Sequence, residues 1–341
     1  MSLHEFGHFI VAKKCGFRVE EFGIGYPPRL WGKKYGDTLY SINLIPFGAH
    51  VRIPEAEGEE SENKPRWKRM LVLLGGVVSF WIIAFVLLTA VFKMGASQAI
   101  SDAEVGPLVN PKVQVMAVLP DSPAGEAGLK SGDAIIGFSV DDFRFSIDKI
   151  KEIQDLTEGY KGREVNLVIE RGKEVFTVSL TPRASHPEDE GPMGVSLVRT
   201  AEKSYSWWQA PQKAAEATWN LTYGVVAGWG NIIAGLFQGK GLPKGVQFVG
   251  PVGIGALITQ AAQVGVNYFL QFIAMISVYL AVFNLLPIPA LDGGKLLFLG
   301  IEKIKGRAVN RRVEENVTAA FFVLLIFLMV WVTIKDIARL F

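Results

Sequence analysis

A run of uncharged residues, 71–92, constrains the fold of this chain more than any other feature. In a helix that rises about 1.5 Å per residue, the run is long enough to cross the roughly 30 Å hydrocarbon layer of a bilayer. Backbone groups inside that layer must be hydrogen-bonded within the protein, which favours a membrane-spanning helix. The composition, 50% hydrophobic over 341 residues, also indicates a membrane protein.

Two more uncharged runs lie at residues 245–291 and 317–334. We therefore predict a multi-pass α-helical membrane protein with about four membrane helices. The first is incomplete, at 1–16, and the others lie at 70–94, 265–294 and 316–340.

Basic residues set the predicted topology, because they accumulate on the cytoplasmic side of a membrane. Four of them precede the helix at 70–94, and six more lie in the loop at 295–315. Residues 212–240 are also apolar, but a crossing there would turn the basic loop outward. We predict instead that 212–240 is a helix lying in the membrane interface.

Two polar regions interrupt these helices. Residues 112–182 are charged, glycine-punctuated and rich in alternating strand patterns, which predicts an inserted α+β domain outside the cytoplasm, followed by a linker at 183–211. Residues 17–69 are predicted to be a cytoplasm-facing loop that contains a membrane-associated β-hairpin at 38–53. The edge of this hairpin can serve either as ordinary structure or as a pairing site for an extended peptide.

The motif His4-Glu5-Phe6-Gly7-His8 places two imidazoles four residues apart, on one face of a helix. Both can bind one metal ion, and Glu5 can accept a proton from a water that the metal activates. This spacing is typical of zinc peptidases, although the same string also arises by chance. A helix over 1–16 spans only about 24 Å, so we expect that the natural start lies upstream.

Asp292 follows a long apolar run, where a carboxylate is costly unless it meets a positive partner. We predict that it joins His4 and His8 as the third ligand, which leaves the fourth zinc position for water. Asp292 can alternatively be a turn residue before Gly293-Gly294. Asp336 is a weaker candidate for the third ligand. A soluble zinc peptidase would need a downstream ligand, but Glu20 and Glu21 follow a glycine break.

Charge and cysteine content exclude two further classes. The net charge of +2 and the lack of basic clusters interleaved with aromatic residues predict no nucleic-acid partner. The single cysteine, Cys15, excludes an internal disulfide.

Three features together resemble the site-2 protease family, and most closely its bacterial branch of regulators of sigma-E. They are the H-E-F-G-H helix, the run N-L-L-P-I-P-A-L-D-G-G at residues 284–294, and an insertion similar to a PDZ domain, with Ser-Pro-Ala, Ala-Gly-Leu and Gly-Asp in order. The resemblance covers nearly the whole chain. This chain has room for one PDZ domain, whereas the enterobacterial relatives carry two.

The resemblance implies Zn²⁺ bound by His4, His8 and Asp292, with Glu5 as the catalytic base and Asn284 near the substrate. It also implies cleavage within the membrane segments of single-pass proteins, such as anti-sigma factors or remnant signal peptides, in a bacterial inner membrane. The PDZ domain would be extracytoplasmic and would bind peptide C-termini. The alternative is a non-catalytic membrane scaffold whose zinc site is damaged.

Overall fold

A computed structural model of the chain describes residues 2–54, 64–104, 108–119, 121–141, 143–172, 174–187, 190–239, 249–307 and 309–340. The helices in these ranges are α1 (Ser2–Lys14), α2 (Arg66–Met94), α3 (Pro123–Glu126), α4 (Ile150–Gly159), α5 (Gln209–Phe237), α6 (Pro251–Val264), α7 (Val266–Leu285), α8 (Asp292–Lys305) and α9 (Arg311–Leu340). The strands are β1 (Glu21–Tyr35), β2 (Thr38–Arg52), β3 (Ala96–Ala99), β4 (Val109–Val118), β5 (Ala134–Val140), β6 (Phe143–Ser146), β7 (Val165–Arg171), β8 (Glu174–Leu180) and β9 (Val195–Lys203).

Three helices of the described ranges are long and apolar enough to cross a membrane: α2, α7 and most of α9. They correspond to the spans predicted at 70–94, 265–294 and 316–340. Several boundaries differ from the prediction. Helices α2 and α9 begin earlier, at Arg66 and Arg311, and α7 ends earlier, at Leu285. The predicted loop 295–315 begins inside helix α8. Helix α1 has only 13 residues, so the count of four crossings stays a prediction.

Helices α1 and α2 pack closely because small residues line their contact. A Cβ added at Gly7 would lie 2.4 Å from the carbonyl oxygen of Gly75 and 3.0 Å from the Cβ of Ser79. Glycine at both positions lets the two backbones approach each other, as is common between membrane helices.

The small sheet differs from the predicted hairpin at 38–53. Strand β2 covers that region, but its two parts pair with the start of β1 rather than with each other: residues 39–42 run in the same direction as 21–24, and residues 49–52 run in the opposite direction. Glu21 of β1 is in register with both Leu39 and Arg52, so the start of β1 pairs with two separate parts of β2. The sequence did not predict β1 as a strand, because Pro27-Pro28 in its middle is typical of a turn.

The second sheet has seven strands in the order β3-β9-β4-β5-β7-β8, with β6 beside β5. It extends beyond the predicted domain 112–182, and β9 lies within the predicted linker 183–211. The charged, proline-containing residues before β9 suggested a boundary there, yet β9 pairs with strands on both sides. The core of the domain built on this seven-stranded sheet is formed by fully buried side chains that include Ile135, Phe138, Ile153, Leu167 and Ile169.

Hydrogen bonds connect this sheet to the membrane helices. The Tyr205 N–H donates to the Phe92 carbonyl at the end of α2, and Asn267 donates to the Gly95 carbonyl. Helix α5, the predicted interfacial helix, packs on α2, where the Trp81 indole N–H donates to Thr222 Oγ1 at 3.1 Å. Its placement in the interface stays a prediction.

Helix α6 lies in the long uncharged run but was not predicted as a separate helix. The carboxylate of Asp336, on α9, accepts hydrogen bonds from the N–H groups of Gly250 and Gly253, each at 2.8 Å. Asp336 is only 5% exposed, so the start of α6 depends on it for one buried and one partly buried hydrogen bond. Asp336 is thus a helix cap, and the described metal-ligand group does not include it.

We expect Asp336→Ala to lower the free energy of unfolding by about 1–2 kcal/mol, because two N–H groups of α6 lose their acceptor. Asp336→Asn keeps an acceptor oxygen and should lose less. Thermal unfolding in detergent, with hydrogen exchange at Gly250 and Gly253, measures the effect. Unchanged protection of these amides in Asp336→Ala would contradict the capping role.

Candidate metal centre

Three side chains from two distant parts of the sequence form one cluster. His4 Nε2 lies 2.9 Å from Asp292 Oδ2, and His8 Nε2 lies 3.4 Å from the same oxygen. One ligand atom of each residue lies within 4.8 Å of the others. Both imidazoles are buried and nearly perpendicular to each other, with ring centroids 4.6 Å apart.

Helix α2 orients the imidazole of His8. His8 Nδ1 donates a hydrogen bond to the Val72 carbonyl at 2.8 Å, so its Nε2 presents a lone pair toward Asp292. The ring lies directly against Gly76, where an added Cβ would be 2.2 Å from His8 Nε2. The ring of His4 stacks on Phe80 of the same helix, with centroids 4.8 Å apart.

Asp292 is held by a tight turn between α7 and α8. It is the first residue of α8, and the turn folds back over the two glycines that follow it. A Cβ added at Gly293 would lie 2.2 Å from the carbonyl oxygen of Leu286. One added at Gly294 would lie 2.3 Å from the carbonyl oxygen of Ile288. The glycine pair therefore permits the close contact that brings the carboxylate to the histidines.

Glu5 lies beside the cluster. One of its carboxylate oxygens is 3.4 Å from His4 Nδ1. Glu5, His8 and Asp292 line a cavity of about 80 Å³, together with Val51 of β2 and the adjacent Ile53. The small sheet thus approaches the cluster on the same side as Glu5.

Asn284 lies near the end of α7, where its side-chain amide donates to the Leu280 carbonyl of the same helix at 2.9 Å. It is not among the described residues that line the cavity. The sequence analysis did not find the supporting residues Val72, Gly76 and Phe80. The only trace of them in the sequence is the Gly75-Gly76 pair inside an otherwise bulky apolar helix.

The donor set fits zinc. Two imidazole nitrogens and one carboxylate oxygen are common zinc ligands, and catalytic sites use three protein ligands with one open position. Ligands about 2 Å from a tetrahedral ion lie about 3.3 Å apart, which agrees with the 2.9 and 3.4 Å separations between the histidine nitrogens and Asp292. The hydrogen bond from His8 to a backbone carbonyl is typical of zinc-binding histidines.

The sequence profile of peptidase family M50 matches residues 1–328. The chain belongs to this family. A Clostridium perfringens protein named for zinc metalloprotease activity is 33% identical over 98% of this chain and 94% of its own. The regulator of sigma-W protease RasP of Bacillus subtilis is 27% identical over 99% of this chain and 95% of its own.

The regulator of sigma-E protease RseP of Escherichia coli is also 27% identical, over 100% of this chain and 96% of its own. As a member of family M50, this chain is an intramembrane zinc metalloprotease, and zinc is its cofactor. Among solved structures, a PDZ domain of an SdrC-like protein from Listeria monocytogenes matches 28% of this chain and 93% of its own, at 22% identity and a TM-score of 0.22.

We expect Gly76→Ala to weaken zinc binding by about 10- to 100-fold, because the new methyl group displaces the His8 imidazole from its hydrogen bond to Val72. Zinc per chain, measured by atomic absorption after dialysis against a weak chelator, reports the change. Gly300→Ala in α8 is the control, since a Cβ there meets nothing within 4 Å. Equal zinc retention in both variants would refute this role of Gly76.

Proposed function

We propose that this protease cleaves within the membrane segments of single-pass membrane proteins, with anti-sigma factors or remnant signal peptides as substrates. The cluster of His4, His8 and Asp292 with Glu5 beside it carries the proposal. It lies where α1 packs against α2, a helix apolar enough to span a bilayer. The names of the RasP and RseP relatives support a role in sigma-factor regulation.

In this proposal His4, His8 and Asp292 bind the zinc ion. A zinc ion held there would act as a Lewis acid that polarises the scissile carbonyl and lowers the pKa of a water to about 7. Glu5 accepts the proton of the attacking water on its carboxylate and then delivers it to the leaving amine. Glu5 lines the same cavity as His8 and Asp292, which supports this role.

Substrate binding is assigned to two elements. A helical substrate hides its peptide bonds in its own hydrogen bonds, so it must be extended before it is cleaved. The edge of β2 near Val51 can pair with such an extended segment, since Val51 lines the cavity. The amide of Asn284 has a second N–H besides the one that bonds Leu280, and we assign it to the substrate backbone.

The proposed topology has four crossings, with α1 as the first, and the seven-stranded sheet as an extracytoplasmic PDZ domain of the inner membrane. One ion pair supports this topology: Arg69, at the start of α2, lies 3.4 Å from Glu302 of α8. The basic residues before α2 and those in the loop 295–315 therefore lie on the same side of the membrane, as the topology requires. The sheet contacts the opposite end of α2 through Tyr205. The PDZ domain would bind peptide C-termini as an added strand.

Replacing the proposed base tests the chemistry. We expect Glu5→Gln to reduce cleavage of a single-pass membrane substrate by about 10²- to 10⁴-fold, since glutamine cannot accept the proton. Zinc content should be unchanged, because Glu5 is not one of the three ligands. Cleavage at the wild-type rate by Glu5→Gln would refute the assignment of Glu5.

Replacing the proposed third ligand tests the metal site. The wild-type chain, purified in detergent, should hold about one zinc ion, and Asp292→Ala should lose it, because two histidines alone bind zinc weakly. Asp336→Ala is the control, since it removes a buried carboxylate from another helix. Absence of zinc from the wild-type chain would favour the non-catalytic scaffold.

A further inference from the structure

Helix α8 carries a second buried carboxylate besides Asp292. Glu302, ten residues later, is only 6% exposed, and a charge buried to this extent requires hydrogen-bonding or positive partners. Its Oε2 accepts a hydrogen bond from Arg69 Nη1 of α2 at 3.4 Å, and its Oε1 accepts one from the backbone N–H of Val309 at 3.4 Å. Helix α8 is therefore attached to its neighbours near both ends, through Asp292 at the start and through Glu302 near the end.

Arg69 connects the second attachment to the metal cluster. Its side chain is 15% exposed, and it lines the same cavity as Asp292. Arg69, Val72 and Gly76 follow one another at helical spacings of three and four residues, which places them on one face of α2. The same face holds His8, because the Val72 carbonyl accepts its hydrogen bond and Gly76 leaves room for its ring. One surface of α2 thus positions His8 and binds the helix that carries Asp292.

The two attachments fix the direction of α8. Glu302 lies about 15 Å along the helix from Asp292, at a rise of about 1.5 Å per residue. Asp292 meets His8 beside Val72, whereas Glu302 meets Arg69 one turn closer to the start of α2, so α8 runs back along α2. With only the first attachment, α8 would be free to tilt about its start, and a tilt turns the carboxylate of Asp292. A metal centre needs its ligands to be held within about 0.5 Å and about 10–20°.

The neighbouring Arg66 is a poor substitute for Arg69. Its Nε lies 3.9 Å from Glu302 Oε2, and its side chain is 46% exposed, so solvent screens the interaction. The pair with Arg69 is the shorter and more buried of the two. We propose that Arg69 and Glu302 are positioning residues of the metal centre, because their ion pair sets the orientation of α8 and thereby the direction of the Asp292 carboxylate. The proposal rests on the assignment of Asp292 as a zinc ligand under the proposed function.

The sign of two substitutions separates positioning from a simple effect of charge. If only charge mattered, removing the cation with Arg69→Met would strengthen zinc binding, and removing the anion with Glu302→Gln would weaken it. Positioning predicts that both variants weaken zinc binding, by about tenfold each. Competition with a chromogenic chelator, on the full chain in detergent, measures the zinc dissociation constants. Zinc binding that is unchanged in both variants, or that changes in opposite directions, would overturn the proposal.

A double variant covers the case in which a single variant fails to fold, since Arg69→Met leaves Glu302 buried without its nearer partner. In Arg69→Met/Glu302→Gln neither charge remains, yet the attachment is still absent. Because both substitutions remove the same interaction, zinc binding should fall by about tenfold and not by about a hundredfold. Wild-type affinity or a hundredfold loss in the double variant would overturn the proposal. Glu170→Gln is the control, since it breaks the partly buried ion pair with Lys112 in the seven-stranded sheet and should bind zinc like the wild type.

A spectroscopic measurement distinguishes positioning from a loss of overall stability. Co²⁺ substituted for zinc absorbs visible light in bands that depend on the arrangement of its ligands. We expect Glu302→Gln to shift these bands, whereas Glu170→Gln leaves them as in the wild type. A lower unfolding temperature of Glu302→Gln, with unchanged Co²⁺ bands and zinc affinity, would assign the ion pair to stability alone and overturn the proposal. A wild-type chain without zinc, or an Asp292→Ala variant that keeps it, would instead refute the metal site itself, and this proposal with it.

Discussion

A carboxylate held between two imidazoles determines how three helices of this protein are arranged. Asp292 lies at the end of an apolar run and is mostly buried, so it requires positive or hydrogen-bonding partners. His4 Nε2 lies within hydrogen-bonding distance of Asp292 Oδ2, at 2.9 Å, and His8 lies on the same face of α1, so α1 must lie against the start of α8. Helix α2 completes the arrangement, because its Val72 carbonyl fixes the ring of His8.

Glycines make this arrangement sterically possible. Gly7 and Gly75 let α1 and α2 approach, while Gly76 leaves room for the imidazole of His8. Gly293 and Gly294 serve the same purpose under the turn that positions Asp292. At each of these positions a methyl group would meet another atom at 2.5 Å or less, which real structures do not tolerate. The glycines of the H-E-F-G-H motif, of the L-D-G-G motif and of helix α2 are thus required for the packing around the metal cluster.

The two sheets lie at opposite ends of α2. The small sheet reaches the cavity at Glu5 through Val51, beside the start of α2. The seven-stranded sheet contacts the other end of this helix through the backbone of Tyr205. A single apolar helix therefore connects the proteolytic cluster with the larger sheet.

Local sequence patterns were sufficient to predict the uncharged helices, the shared face of His4 and His8, and the isolated acidic residue Asp292. These follow from hydropathy and from the 3.6-residue period of a helix, which neighbouring residues are sufficient to define. Tertiary contacts, in contrast, determine that β9 belongs to the large sheet, that β1 is the partner of β2, and that Asp336 caps α6. Strand partners and a cap from a distant helix depend on contacts between residues far apart in the chain, which local patterns do not specify.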